Sequence, residues 1–289
     1  AAFRGGNNNA AYDGNSNSLL GMPATNVSLT GFRAYARNRG AAGKNGAGWN
    51  CDVYELQKTC YWLYVVEYAN LNSQAGFNAQ PTSEGYRQGG LGMGVTALVY
   101  ALWGEFNDYN PFICCGHTSS LGNQTGVVDF IAPPEYKVAL IMQVPSYRGI
   151  ENPFGHIWSW VDGCKFRIQS DAAGGLSQFY VCDDPSLFQD SDYSDYKLRG
   201  NISRYAGYVK EMLIGEFGNN MPKVADASSA TYFCDYCSTS IPASGEMLRG
   251  LLLGGGSYNG ATAGLACTYS SYVPSSADQT FGTRLCFIP

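Results

Sequence analysis

Charge is what this 289-residue sequence lacks most. Lys, Arg, Asp and Glu together make up 14% of it, against the roughly one quarter usual in soluble chains. Its 18 basic residues do not cluster; the densest group is Arg33, Arg37 and Arg39. That is too thin for a phosphate-binding face, and the net charge is −5, so nucleic acid is excluded as a partner. Long apolar runs are missing as well. Those present are short, as in Val138-Ala139-Leu140-Ile141-Met142, far below the roughly 20 residues a spanning helix needs, so no membrane partner is expected. Histidine is scarce, with only His117 and His156 to serve acid–base or metal chemistry. No second Cys-x-x-Cys accompanies Cys234-Asp235-Tyr236-Cys237, so the paired ligands of a structural zinc are absent. Repeats and linkers are absent too, which argues for a single domain.

What is present is glycine, 36 residues of it, tyrosine, 21, and a 45% hydrophobic share large enough for a sizeable core. A chain poor in charge and rich in Tyr, Gly, Ser and Asn presents a neutral, hydrogen-bonding surface. Residues 1–25 are Asn/Gly/Ser-rich and aperiodic and read as an N-terminal arm or loop; residues 26–289 form the domain. The clearest helix is Cys51–Leu71, where Val53, Leu56, Cys60, Leu63 and Tyr64 recur at helical spacing, Asn50 or Asp52 can cap the start, and the second half is apolar enough to be deeply buried. Residues 74–94 read as ordered loop and 95–103 as strand or helix. Strands are expected at 136–144, closed by Pro145, at 155–169 with a turn, at 179–184, at 247–256 ending in a glycine turn, and at 283–287. The class is α+β, loop-rich, with short antiparallel strands and one long buried helix.

Each chemical motif has a plainer reading. The ten cysteines match no compact disulfide scaffold and read mostly as reduced, buried side chains. Cys115 and His117 could form a nucleophile pair, yet nothing orients them. Asp183, Asp184, Asp190, Asp192 and Asp195 could offer oxygens to a calcium ion, but a solvated acidic loop is the simpler reading. The glycines of GGLGMG lack the strand–helix context of a dinucleotide site.

Three blocks carry a resemblance. Gly155, Trp158 and Trp160 stand in GHIWSWVDG; Arg249 and Gly254–Ser257 follow in LRGLLLGGGS; Gly282, Arg284 and Leu285 close the chain in FGTRLCF. Their order resembles the formylglycine-generating-enzyme subtype of the C-type lectin fold, and the likeness extends to the helix at 51–71. It implies that the Trp pair fills the core beneath a ligand face and that Arg284 bonds loop carbonyls or an acid. Enzymes on this fold place two cysteines at a copper site just after the second block. Here Cys267 stands alone in that loop, and Cys234 and Cys237 precede the block, so the enzymatic reading loses its central residues; no catalytic residue, metal or cofactor is expected. YRGIENPFGHIWSWVDG, TYFCDYC and LLLGGGSYNGATAGL resemble more closely the variable proteins of diversity-generating retroelements of the Bacteroides phage and prophage type.

That resemblance implies a variable region over about 254–287, diversified through adenine mutagenesis of AAC- or AAT-type codons, which cannot yield Lys, Glu, Met, Trp or Gln. The first four do not occur between Gly254 and Thr283, whereas Gln279 does and marks a position that is fixed or of another origin. Tyr supplies stiff contact area there and Ser, Thr and Asn supply adaptable hydrogen bonds, the mixture antibody loops use. The expected exposed binding positions are Ser257, Tyr258, Asn259, Thr262, Thr268, Tyr269, Ser271, Tyr272, Asp278 and Thr280, with the three tyrosines as hot spots. Gly254–Gly256, Gly260 and Gly264 hold the turns, while Leu251–Leu253, Leu265, Leu285 and Phe287 anchor into the core. The implied function is a diversified phage tail-tip adhesin, located on the virion, that binds a protein or glycan receptor on a bacterial surface. It would be borne by a tail or surface scaffold protein as a homo-oligomer, for instance a trimer. A bacterial surface-displayed adhesin, a sulfatase-modifying-type enzyme and a structural tail protein are the alternatives.

Overall fold

The computed structural model describes residues 23–40, 48–97, 113–131, 141–231 and 233–288. Most of the N-terminal arm and most of the expected element at 95–103 lie outside these residues. Ala24 and Thr25 do not belong to a solvated arm: both are buried, Ala24 against Trp158 and Phe281.

Helix α1 (Leu29–Arg37) starts at Ser28, whose hydroxyl accepts from the Gly31 N–H at 3.1 Å, satisfying one of the amides a helix start leaves open. Strand β1 (Trp49–Cys51) leads into helix α2 (Tyr54–Tyr68), shorter at both ends than its sequence suggests. Its cap residue is Val53, without a side-chain bond. Asn50 is strand, and the Asp52 carboxylate accepts instead from Gln57 and Ser159. The buried stripe is Tyr54, Tyr61, Tyr64 and Tyr68, whereas Leu56 and Leu63 are partly exposed and Val66 is 80% exposed. Tyr covers more area than Leu, and four Tyr at helical spacing outcompete the aliphatic stripe for the core.

Short strands β2 (Phe77–Asn78) and β3 (Gln88–Gly89) pair within the 74–94 loop. Strands β4 (Gly126–Ile131), β5 (Ile141–Tyr147) and β6 (Ile150–Glu151) form a small antiparallel sheet. Pro145 does not close β5 but lies inside it. The Pro145 carbonyl accepts from the Asn152 N–H at 2.8 Å, on the side away from β4. A residue's nitrogen faces the same side as its carbonyl in a strand, so the missing N–H removes no β4–β5 bond.

The remaining chain builds the main sheet. Its strands are β7 (Trp158–Gln169), β8 (Ser177–Val181), β9 (Lys197–Asn201), β10 (Gly207–Leu213), β11 (Met221–Ala227), β12 (Tyr236–Thr239), β13 (Glu246–Leu253), β14 (Thr268–Ser270) and β15 (Phe281–Gly282). The spatial order is β11-β10-β12-β14-β13-β7-β8-β9, with β15 also paired to β7. A last strand, β16 (Leu285–Phe287), pairs with β1. The fold is mixed α+β, mostly strand, with two α-helices among the described residues.

Strand β7 is the centre. It is one 12-residue strand with no turn, and eleven of its twelve residues are buried. Trp158 and Trp160 pack with Leu29 and Phe32 of α1 and with Leu252 and Phe281. Val161, Phe166 and Ile168 pack with Phe179, Leu251, Leu253, Tyr54 and Met221 in a separate cluster. Both faces are covered, so the apolar/polar alternation of a half-exposed strand gives way to a continuous buried run.

A buried ion cluster ties α1 to β7. Arg33 donates through Nε and Nη2 to the two Asp162 oxygens at 2.6 and 2.8 Å and through Nη1 and Nη2 to the two Asp190 oxygens, both at 2.7 Å. Burial by itself would raise the Asp190 carboxyl, but Arg33 outweighs it and holds the group below its usual value. Asp190 is therefore a structural counter-ion. Asp183 likewise pairs with Arg199 at 3.0 Å, and Asp184 accepts from the Ser186 N–H at 2.9 Å. Arg33→Met should lower the unfolding free energy by about 3–5 kcal/mol in urea denaturation, because it strands Asp162 in the core without its cation; Asp190→Asn, at the more exposed end, should cost less.

Candidate ligand-binding site

Register builds the site. Trp158 and Trp160 are two apart in β7 and share a face. Leu252 of β13 pairs with Trp160, Tyr269 of β14 with Leu252, and Phe281 of β15 with Trp158. Directly paired residues point to the same side of a sheet, so these five form one aromatic-rich patch. Trp160 meets Phe281 edge-on at 5.6 Å between centroids, and Trp158 meets Tyr269 at 5.4 Å. The patch needs Gly250. It sits where the β13–β7 register slips between Arg249 and Leu251, and a Cβ there would stand 2.8 Å from the Trp160 ring. The Gly250 N–H donates to the Tyr272 carbonyl at 2.9 Å, so the position that admits Trp160 also fastens the following loop.

The chain leaves β13 through Gly254 and Gly255, both at positive φ (91° and 83°). A Cβ on Gly255 would lie 2.8 Å from that of Ala263, so only glycine lets the loop fold back on itself here. The loop is held by its backbone. The Ser257 N–H donates to the His156 carbonyl at 3.0 Å, and the Gly254 N–H to the Cys267 carbonyl at 2.9 Å. Gln74 Nε2 donates to the carbonyls of Gly260 and Ala263, and the Ser73 hydroxyl accepts from the Leu265 N–H at 3.1 Å. Ser73 and Gln74 were not expected to be clamps, since a lone Ser-Gln pair in a polar stretch carries no signal of its distant partners. Arg284 donates through Nη2 to the carbonyls of Glu151 and Asn152 at 2.6 and 2.5 Å, as expected of it.

Over the aromatic patch the loop closes a cup of about 230 Å³. Six of the ten expected positions line it: Tyr258, Asn259, Tyr269, Tyr272, Asp278 and Thr280; Trp158 and Phe281 form the floor. Tyr269 and Tyr272 stack at 5.3 Å, and Tyr272 stands edge-on to Phe281 at 4.8 Å. Trp158 Nε1 donates to the Tyr258 hydroxyl at 3.1 Å. The Thr280 N–H and hydroxyl donate to Asp278 Oδ1 at 2.9 and 2.7 Å.

Several positions differ from expectation. Ser257, Thr268 and Thr280 are not exposed, at 0%, 4% and 1% of their accessible surface. Ser257 is drawn in by its bridge to His156, Thr268 is enclosed in β14 between β13 and β12, and Thr280 turns its hydroxyl to Asp278 in the cup wall. Thr262 bonds the Asn259 carbonyl at 2.6 Å, and Thr262 and Ser271 are half-buried but stand away from the cup. Leu285 and Phe287 do not anchor the core. Among the described residues their strand pairs only with β1, where Phe287 lies 5.3 Å from Trp49 and is half exposed.

None of the ten cysteines is in a disulfide. Cys267 is packed beneath the cup, and burial, reinforced by Asp235, pushes its thiol well up. The Cys115 thiol is pushed up to about 11 by burial and by Glu151, while His117 Nε2 lies 3.0 Å from the Asp129 carbonyl. Among the described residues no group of three His, Cys, Asp or Glu side chains converges as metal ligands.

His156 lies directly behind the loop. Burial, with Arg284 adding to it, pushes its pKa down to about 3, against about 6.5 in an unfolded chain. Between these values only the unfolded state binds the proton, so stability is full above about pH 6.5 and falls as pH drops toward 3. His156→Gln should therefore lose roughly 2 kcal/mol less than the parent between pH 7 and pH 4.5, read from urea midpoints at the two pH values; an identical loss would mean that His156 is not the titrating group. No protein-family model matches the chain, and a search of curated proteins finds no relative of it.

Proposed function

We propose that this chain is a diversified ligand-binding protein with a C-type lectin fold of the formylglycine-generating-enzyme subtype, a variable protein of a diversity-generating retroelement. It acts at a phage tail tip as the adhesin that contacts a receptor on the bacterial surface. The observation that carries this reading is the convergence of six sequence-chosen positions, scattered over residues 258–280, around one cup. Its floor comes from Trp158, a scaffold residue about a hundred positions earlier. Tyr and Asn on the rim give adaptable contact area at low conformational cost. The loop is fastened by backbone bonds to Gly250, His156 and Gln74, so rim side chains are exchangeable without loss of the frame. A cup this small gives modest affinity, and several copies on a trimeric, scaffold-borne tip would raise it through avidity.

Two outcomes follow. Sequences of the gene's 3′ end from sibling isolates should differ at codons 258, 259, 269, 272 and 278, while those for Ser257, Thr268 and Thr280 stay constant; substitutions spread evenly across buried and rim codons would contradict the reading. Tyr272→Ala should abolish adsorption to receptor-bearing cells yet cost less than about 1 kcal/mol in thermal unfolding, because the residue is 38% exposed. A large stability loss would make Tyr272 a core residue.

A further inference from the structure

Resting on the reading of the cup as the ligand face, we infer that it takes a cationic side chain, lysine or arginine, presented by a protein receptor. Five rings surround it, from Trp158, Tyr258, Tyr269, Tyr272 and Phe281, and among the described residues Asp278 is the only charged one in its wall. Aromatic faces carry negative potential and attract an ammonium or guanidinium group, more strongly where water is partly excluded. Thr280 occupies only Oδ1 of Asp278, and no described residue donates to Oδ2. One carboxylate oxygen is thus held in place and left to pair with an incoming cation.

A monosaccharide presents a ring of hydroxyls that need several directed donors and acceptors. Here Asn259 Oδ1 accepts from the Gly256 N–H at 2.7 Å, Trp158 Nε1 is committed to Tyr258, and the Thr280 hydroxyl to Asp278; Asn259 Nδ2 and Asp278 Oδ2 remain to serve one, so methyl glucoside is the competing arm of the test. A choline-type lipid headgroup would bring a phosphate toward Asp278, and none of the described residues in the wall is basic to receive it. Size agrees with a side chain. At about 230 Å³ the cup is smaller than the roughly 300–1,000 Å³ of pockets that enclose whole drug-sized ligands.

The test titrates the ¹⁵N-labelled full chain with the Nα-acetyl methylamides of lysine, arginine and norleucine, and with methyl glucoside. The readout is the Trp158 indole N–H signal, identified as the indole signal that Tyr258→Phe displaces. Lysine or arginine should give a saturable shift and norleucine, which has an aliphatic stem but no charge, should not. Asp278→Asn keeps the acceptor for Thr280 and should weaken the cation roughly tenfold, the scale of a partly desolvated charge pair. An equal response to norleucine, saturation by the glucoside alone, or cation binding unchanged in Asp278→Asn would overturn the inference. Adsorption separates it from the reading beneath it. If Tyr272→Ala abolishes adsorption while no cation binds, the receptor face stands and the cationic ligand falls; if neither Tyr272→Ala nor Asp278→Asn affects adsorption, both fall.

Discussion

Strands β7 and β13 run side by side through the main sheet, and their register constrains everything at the binding face. Pairing Trp160 with Leu252 brings Tyr269 into the same row through β14, and pairing Trp158 with Phe281 adds β15. The slip at Gly250 lets the indole of Trp160 lie against bare backbone. A one-residue error in this register would turn each of these rings to the opposite face of the sheet. Packing on both faces of β7 prevents that error. One face is held by α1, itself clamped through Arg33 to Asp162, and the other by the cluster around Phe166 and Phe179.

This division of labour separates folding from recognition. The loop after β13 is long, yet its path is set by glycine turns and by amide and carbonyl groups paired with Gly250, His156, Ser73 and Gln74. Backbone bonds do not depend on the identity of the side chain they pass beneath. The apolar anchors, Ala263, Leu265, Ala266 and Cys267, are consecutive or nearly so and are buried. What remains between the anchors, chiefly Tyr258, Asn259, Tyr269, Tyr272 and Asp278, faces the cup. Substitution there changes shape and charge at the rim and removes part of the packing on the Trp158 and Phe281 rings, which keep their contacts with Leu29, Phe32 and Leu252 beneath.

Much of this was legible in the sequence, and the misses have physical causes. The run from Met247 to Gly256 marked a strand ending in a glycine turn, whereas tyrosine, expected at the surface, also fills the core at Tyr54, Tyr61, Tyr64, Tyr68 and Tyr147. The role of Arg284 followed from the resemblance of its block, which implied loop carbonyls or an acid; the carbonyls of Glu151 and Asn152 are what it meets. The face of α2 was misread because its stripe is aromatic, and hydropathy ranks Leu and Val above Tyr although Tyr buries more area. Pro145 was read as a stop because the side on which its carbonyl points is invisible without the strand beyond it. Ser257, Thr268 and Thr280 were placed outside because small hydroxyl residues resemble rim residues in composition. Only the sheet shows that their own bonds, to His156, within β14 and to Asp278, draw them inward. Ser73 and Gln74 lie nearly two hundred residues from the carbonyls and amides they hold, beyond any local pattern.

The central claim is that a fixed aromatic floor carries an exchangeable rim. A saturation library over residues 254–283, sorted once for folded display and once for binding to receptor-bearing cells, addresses it directly. The account predicts that Tyr258, Asn259, Tyr269, Tyr272 and Asp278 tolerate most residues for folding but few for binding, while Ser257, Leu265, Thr268 and Thr280 are intolerant already at the folding sort. If the binding-sensitive positions fell outside the cup, or if rim and buried positions were equally intolerant for folding, the separation of scaffold from recognition would be contradicted.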